Sequence, residues 1–277
     1  MKMRWTRGIV VMTIGAAMAT GVEARAATLA ADYQLQGIYD SSVGTIGPLT
    51  VAGNSGDVTF ATDQDVDGNT QTVASLDINY NGADTGAGLQ AQTAGFLSSS
   101  DYSVVLLAEF NLDADLVATK VFDFDDLSSD AGLYINDATG LLYFNGAVGA
   151  TGPLAATTGS YTQIVLTRAS SDLVTVYENG AEDFQFADTG GLAVLGPGTG
   201  PSGDADLTTF KDDGTGVGST LVNETSVGDI ARLRLYDGAL TPDEVAALDT
   251  VVPEPLSSGV LLLGGGLMMM RRLRRRG

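Results

Sequence analysis

The sequence predicts an all-β chain: an antiparallel β-sandwich of the jelly-roll kind with one short helix near its end, set between two terminal segments of different composition. Three observations predict it. Short apolar or alternating runs recur along the body, separated by Gly, Asp, Asn, Ser and Thr, which is the pattern of strands joined by turns. The 36 glycines fall mostly between those runs, where tight turns and positive φ call for them. Almost no segment spaces its apolar residues as a helix would, and many short strands with turn signals between them point to a sandwich.

The elements follow in chain order. Lys2, Arg4 and Arg7 precede an apolar segment over 8–22, and Ala24 and Ala26 flank Arg25 as an Ala-x-Ala cleavage site. This is the layout of a secretory signal peptide over 1–26, with Ala27 as the first mature residue. The body, 27–250, opens with a strand over 31–36. Its clearest run is 102–110, followed by runs at 116–124, 133–136, 141–145, 161–168, 173–177 and 229–236. Two hairpins are expected. One spans 134–143 with Asn136, Asp137 and Gly140 at its turn. The other spans 174–180 and ends in Asn179-Gly180, a pair able to take the φ > 0 values of a tight turn, and it returns through 182–186. Near the end, Thr241 can cap a helix, Pro242 suits its first position, and Glu244 completes a capping box, so that Val245 and Leu248 pack on the sandwich.

The tail, 251–277, has three zones: Pro253, Glu254 and Pro255; an apolar stretch of 15 residues over 256–270; and the cluster Arg271, Arg272, Arg274, Arg275 and Arg276. The prolines keep the chain extended. A bilayer core takes roughly 20 apolar residues in a helix, and arginine stems can snorkel to extend the stretch. The cluster would stay cytoplasmic by the positive-inside rule, leaving the body outside.

Charge and composition exclude much. Without the signal and the tail, residues 27–255 hold 5 basic against 33 acidic residues, a net charge of −28. Such a surface repels nucleic-acid phosphates and suits solubility, divalent cations or positively charged partners. Cysteine and histidine are absent and the single tryptophan, Trp5, lies in the signal. Ser-His-Asp triads, Cys-His dyads and ordinary zinc sites are therefore impossible, leaving carboxylate chemistry alone.

Two resemblances add to this reading. The tail, with its Val252-Pro253-Glu254-Pro255 string, Gly-rich apolar segment and terminal arginines, resembles the PEP-CTERM sorting signal of Gram-negative bacteria. That resemblance implies recognition at Pro253, Glu254 and Pro255 by an exosortase-type enzyme. It also implies a transient stay in the inner membrane and delivery to the cell surface or extracellular matrix. The body resembles laminin-G-like, concanavalin A-like domains. Its 161–168 run closes on Arg168 in the manner of "hxxhxhxR", Val174 to Gly180 is similar to "hxVYxNG", and Gly228 to Val245 is similar to "GxIxxhRhYxxALTxxEV". This resemblance implies a binding or adhesion role and a rim Ca²⁺ site, for which Asp212, Asp213 and Glu224 supply three hard oxygen ligands.

A second metal candidate comes from spacing alone. Asp63, Asp65 and Asp67 alternate before Gly68, as at the start of an EF-hand loop, but Ala74 stands where the bidentate glutamate belongs. A plain hairpin, descending through 60–66 and returning through 70–76, explains the same residues. A glycan hydrolase needs two carboxylates about 5 or 6.5–9.5 Å apart. The Glu-x-Asp-x-x-Glu string of enzymes on this sandwich is missing; Glu109 and Asp113 do not share its spacing, and Glu182 and Asp183 face opposite sides of a strand. Tyr134, Tyr143 and Tyr177 could stack on a sugar, although core or hairpin packing accounts for each. The sequence thus points to an exported, non-enzymatic module that binds extracellular polysaccharide or a surface protein, with Ca²⁺ as a candidate cofactor. The alternatives are a glycan-active enzyme on the same sandwich and a passive matrix protein.

Overall fold

The computed structural model describes residues 26–248, apart from 45, 54, 65–69, 78–86, 113–117, 126, 128, 197–205 and 212–225. The described strands begin with β1 (Thr28–Tyr33), β2 (Thr50–Gly53), β3 (Val58–Gln64), β4 (Thr70–Leu76) and β5 (Ala87–Gln92). Next come β6 (Tyr102–Phe110), β7 (Ala118–Asp123), β8 (Gly132–Asn136), β9 (Leu141–Asn145) and β10 (Thr151–Ala155). The chain then runs through β11 (Tyr161–Arg168), β12 (Leu173–Glu178), β13 (Ala181–Ala187), β14 (Asp206–Thr209) and β15 (Gly228–Asp237) to the helix α1 (Pro242–Ala246).

Period-two alternation sorts these strands into two antiparallel sheets. Sheet A runs β13-β12-β11-β6-β15-β4-β3, with β1 added beside β15; sheet B runs β10-β9-β8-β7-β14-β5-β2. In β6, Tyr102, Val104, Leu106, Ala108 and Phe110 turn toward sheet B and join Phe122, Leu133, Ile135, Leu142 and Phe144 in one core. Aromatic rings tie the layers together. Phe144 lies 4.8 Å from Phe186 and 5.9 Å from Phe124 between ring centroids, and Phe110 stacks on Phe210 at 5.0 Å, within the range where such pairs attract. An all-β antiparallel sandwich with one short helix is therefore the observed fold.

The local signals act as their chemistry dictates. Asn179 and Gly180 take φ of 50° and 82° between β12 and β13, and the Asn179 side-chain carbonyl also accepts the Gln163 backbone N–H at 2.9 Å. The turn is thereby fastened to the neighbouring β11. The 134–143 hairpin forms as β8 and β9 with Tyr134 opposite Tyr143. At α1, Thr241 Oγ1 accepts the Glu244 N–H at 3.3 Å while the Glu244 carboxylate accepts the Thr241 N–H at 2.8 Å. Val245 is fully buried, on the outer face of sheet A against Val105, Val165 and Tyr177, and Leu248 packs on the same cluster.

Two differences from the sequence reading, in the opening strand and in four strands it did not find, have plain causes, while the plain hairpin at 60–76 forms as one of its readings had it. The opening strand is Thr28–Tyr33 rather than 31–36, because Leu35 adopts φ of 52° and ends it. β2, β5, β10 and β14 carry no strong apolar alternation of their own, and partner strands place them. β3 and β4 form the plain hairpin on either side of 65–69, paired from Val58–Leu76 to Gln64–Thr70. Among the described residues no helix is long and apolar enough to cross a membrane; the apolar stretch 256–270 lies outside them.

Arg168 shows why the run 161–168 ends in a cation. At the rim of the core, 1% exposed, it donates to Asp188 at 3.0 Å, to the Ser100 carbonyl at 2.7 Å and to Asp172 at 2.8 Å. Three loops are pinned by one guanidinium, whose planar fork suits several acceptors at once. Replacing Arg168 with Met leaves Asp188 buried without its cation, and removing one partner of a buried pair costs roughly 3–5 kcal/mol. Urea denaturation of R168M should show a loss of that size; a loss below about 1 kcal/mol would overturn this account of the rim.

Candidate functional site

The odd residues of β6, Ser103, Val105, Leu107 and Glu109, point away from the core. One end of that outer face is covered by α1. In the middle, Leu107 packs with Val73 and Ala231, and with Ala61 and Tyr161. At the far end Glu109 stands directly between Tyr161 on β11 and Asp229 on β15. Close approach makes this possible: a side chain at Gly228 would place its Cβ 2.0 Å from the Glu109 carbonyl.

One hydrogen bond defines the shape of this face. Tyr161 Oη donates to Asp63 Oδ2 at 2.7 Å, although β11 and β3 lie four strand steps apart in sheet A. At ~4.8 Å per step that is about 19 Å on a flat sheet, more than a tyrosine and an aspartate can bridge. The outer face of sheet A is therefore deeply concave. Tyr161 lies across the hollow, its ring on the apolar floor and its hydroxyl at Asp63.

The hollow is polar and negative at its end. Gln71 pairs in register with Asp63 and shares the outer face with Val73, two residues on. It is 6% exposed, and neither its side-chain nitrogen nor its oxygen has a hydrogen-bond partner. Burial raises the Glu109 carboxyl above the ordinary range, and the charges of Asp63 and Asp229 push it further. Asp229 is raised by burial too, an effect that a hydrogen bond from Ser75 opposes and the charge of Asp63 reinforces. The Tyr161 hydroxyl is held far above the usual phenol range, first by burial and then by its bond to Asp63.

Arg232 is committed to Asp32, with two bonds of 2.7 and 2.8 Å. All five basic residues of the described chain, Lys120, Arg168, Lys211, Arg232 and Arg234, are less than a tenth exposed. Lys120 is buried on sheet B, 2.7 Å from Asp123 and over the Tyr134 ring at 5.2 Å. The surface of the described residues therefore offers carboxylates and no Lys or Arg.

The candidates from sequence divide clearly. Asp63 belongs to the concave site, where its carboxylate serves Tyr161; Asp65 and Asp67 lie outside the described residues, as do Asp212, Asp213 and Glu224 at the rim. Among the described residues no group of three carboxylates is arranged to hold a metal ion. Ala24, the sorting residues Pro253, Glu254 and Pro255, and the arginines Arg271 to Arg276 also fall outside. Ala26 is exposed, and Ala27 packs beside Tyr236 and Leu248 on the outer cluster. Tyr134 stacks on Tyr143 at 5.5 Å and Tyr177 lies under α1, so all three tyrosines weighed for sugar stacking are packing residues. Tyr161, Glu109, Asp229 and Gln71 were not assembled from sequence. The one available signal was that Tyr161 and Asp229 each open a predicted strand; that both strands flank β6 is known from the structure alone.

A second carboxylate pair lies at the sandwich edge. Glu178 and Asp183, at opposite ends of the Asn179-Gly180 hairpin, are both buried, and Asp183 accepts the Leu154 N–H of β10 at 2.8 Å. Burial, then the charge of Asp183, pushes Glu178 up to about 7.

No protein-family model matches the sequence, and no curated protein matches it as a relative. The fold, in contrast, has solved counterparts. Domain 4 of AbnA, a GH43 extracellular arabinanase from Geobacillus stearothermophilus solved with arabinotriose, aligns at 24% identity over 80% of this chain and 98% of its own, with a TM-score of 0.55. A botulinum neurotoxin type C structure, reported with cell entry dependent on two ganglioside molecules, aligns at 9% identity over 80% of this chain and 50% of its own, with a TM-score of 0.52. Trypanosoma rangeli sialidase in complex with the inhibitor DANA aligns at 12% identity over 79% of this chain and 32% of its own, with a TM-score of 0.50. The chain thus spans the whole of the arabinanase domain, half of the toxin chain and a third of the sialidase. These likenesses establish the β-sandwich fold.

The raised Glu178 gives a pH prediction with a definite sign. Glu178 keeps its proton in the folded state up to pH of about 7, whereas the unfolded chain releases it near the ordinary value of about 4.3. Its contribution is complete below that unfolded value and is lost as pH rises through 7. Melting curves of Glu178→Gln should show a smaller fall in Tm between pH 5 and 8 than the parent; identical slopes would refute the assignment.

Proposed function

We propose that this chain is an exported, non-catalytic β-sandwich that binds extracellular polysaccharide or a glycosylated surface protein through the concave face of sheet A. One observation carries this reading: on the concave outer face the ring of Tyr161 lies beside the carboxylates of Asp63, Glu109 and Asp229, side-chain types that meet sugar rings and hydroxyls. The fold supports it, since sandwiches of this kind serve in proteins solved with arabinotriose and linked to gangliosides; fold alone does not carry function. The sequence supplies the route, with a signal peptide over 1–26 and a sorting tail cut by an exosortase-type enzyme near Pro253, Glu254 and Pro255. Affinity electrophoresis of the mature body through neutral and amino-polysaccharide gels should show retarded migration with at least one polymer. Free migration through all of them refutes the binding reading. The intact mass of the extracellular form should exclude the arginine cluster; a mass that includes it refutes processing.

A second reading has its own observation. Glu109 and Asp229 stand side by side on adjacent strands, both with raised pKa, so a carboxylate pair that no single strand supplies is present across two. This favours a glycan-active enzyme as the alternative. Reducing-end release on a polysaccharide panel, abolished by Glu109→Gln, would replace the binding reading with that one; no release upholds it. Calcium at Asp212, Asp213 and Glu224 belongs to the proposal as a stabiliser of the rim. Melting with Ca²⁺ should give a higher Tm than with EDTA.

A further inference from the structure

The inference concerns the other sheet and stands apart from the binding reading. We propose that Lys120 and Asp123 become joined by an intramolecular isopeptide bond, formed when their side chains condense inside the folded sandwich.

The pair is closed off from water. Both side chains are 0% exposed, with Lys120 Nζ 2.7 Å from Asp123 Oδ2. The two residues stand three apart on β7, yet on one face of sheet B. A bulge at Val121 makes this possible: Lys120 pairs with Tyr134, Phe122 with Leu133 and Asp123 with Gly132. Tyr134 and Gly132 are two residues apart on β8, so their partners share a face. The lysine nitrogen lies over the Tyr134 ring, 5.2 Å from its centroid. Gly132 leaves room for the lysine stem, because a Cβ there would stand 3.0 Å from Lys120 Cε.

The contact has the features of a condensation site. Asp123 Oδ2 has no hydrogen-bond partner, so the 2.7 Å approach lacks the angles of a hydrogen bond. Amine and carboxyl group are pressed together without being held as a bonded ion pair. Nζ donates instead to the Ser129 carbonyl at 3.4 Å. The other carboxyl oxygen, Oδ1, accepts the backbone N–H of Asp125 at 3.1 Å and of Leu127 at 2.8 Å, with Leu127 turned to φ of 57°. Two fixed backbone donors on one oxygen stabilise the oxyanion of an acyl-transfer intermediate. Burial raises the Asp123 carboxyl above the ordinary range, an effect that the charge of Lys120 and the two N–H bonds oppose. Burial of both groups favours the neutral amine and acid over the ion pair, and the neutral amine is the nucleophile.

The step balances without a co-reactant. The Nζ lone pair attacks Asp123 Cγ, and the negative charge passes to Oδ1 between its two donors. The Cγ–Oδ2 bond then breaks. Oδ2 leaves as water, carrying the acid proton and one proton from Nζ, which crosses the 2.7 Å contact directly. A neutral amide replaces two buried charges. It locks the β7 bulge covalently in a chain that has no cysteine.

The test reads mass. The full chain, purified folded and then denatured, is digested with a glutamate-specific protease, which cuts after Glu109 and Glu178 and releases 110–178. That fragment should be one water lighter than its sequence requires, and tandem fragmentation should place the deficit between Lys120 and Asp123. A lysine-specific protease should cut the denatured chain after Lys211 but not after Lys120, whose acylated nitrogen it no longer recognises. Lys120→Arg and Asp123→Ala should each restore the full mass of 110–178. A parent fragment of full mass overturns the proposal, as does ready cleavage after Lys120. So does a deficit that persists in Lys120→Arg or that fragmentation places elsewhere. If a variant fails to fold, the parent fragment decides alone.

Discussion

The arrangement depends on β6 being buried on both faces. A strand at the centre of an eight-stranded sheet has one face for the core, and here its other face is covered too. Two separate covers do this. α1, fixed by its capping box, closes one end over Val105. Tyr161 closes the middle over Leu107, and it reaches Asp63 only because the sheet curls. What neither cover reaches is Glu109 and its neighbours. The polar recess is thus the remainder left when an apolar face is covered from two sides, and its position follows from the lengths of those covers.

The charge distribution follows from the same economy of cations. Five basic residues serve a body with 33 carboxylates over 27–255, and the fold places all five inside. Three of them each meet an aspartate: Lys120 with Asp123, Arg168 with Asp188, Arg232 with Asp32. Buried pairs of this sort specify geometry more than they add stability. Arg168 shows the use, joining the loop before β6, the turn after β11 and the loop after β13. The exterior is left to carboxylates, which keep copies apart in solution and select against anionic partners.

Local chemistry made much of the fold legible. Asn179-Gly180 marked a tight turn, Thr241-Pro242 with Glu244 a helix start, and the apolar runs through 102–110 and 229–236 two strands. β5 and β10 were missed because Ala-Gly-Leu-Gln-Ala-Gln and Thr-Gly-Pro-Leu-Ala carry little β-preference and owe their state to their neighbours. The recess was illegible for a different reason. Its members come from β3, β4, β6, β11 and β15, and no spacing in the chain encodes the curl that sets Tyr161 against Asp63. Glu109 was compared with Asp113, near in sequence, when its partner across the ladder is Asp229. Gln71 resembled any polar residue of a returning strand until burial and the lack of a partner set it apart.

The inward placement of every described lysine and arginine has a consequence outside recognition. Proteases of the trypsin type must seat an exposed basic side chain and several extended residues around it. The folded body presents none at its described surface, and strands buried in a ladder open only by partial unfolding. The basic residues of the chain that lie outside the described body are Lys2, Arg4, Arg7, Arg25 and the five of the tail. A protease of this specificity would therefore find no basic side chain to seat on the described surface of the folded sandwich, which resists such cleavage for as long as it stays folded.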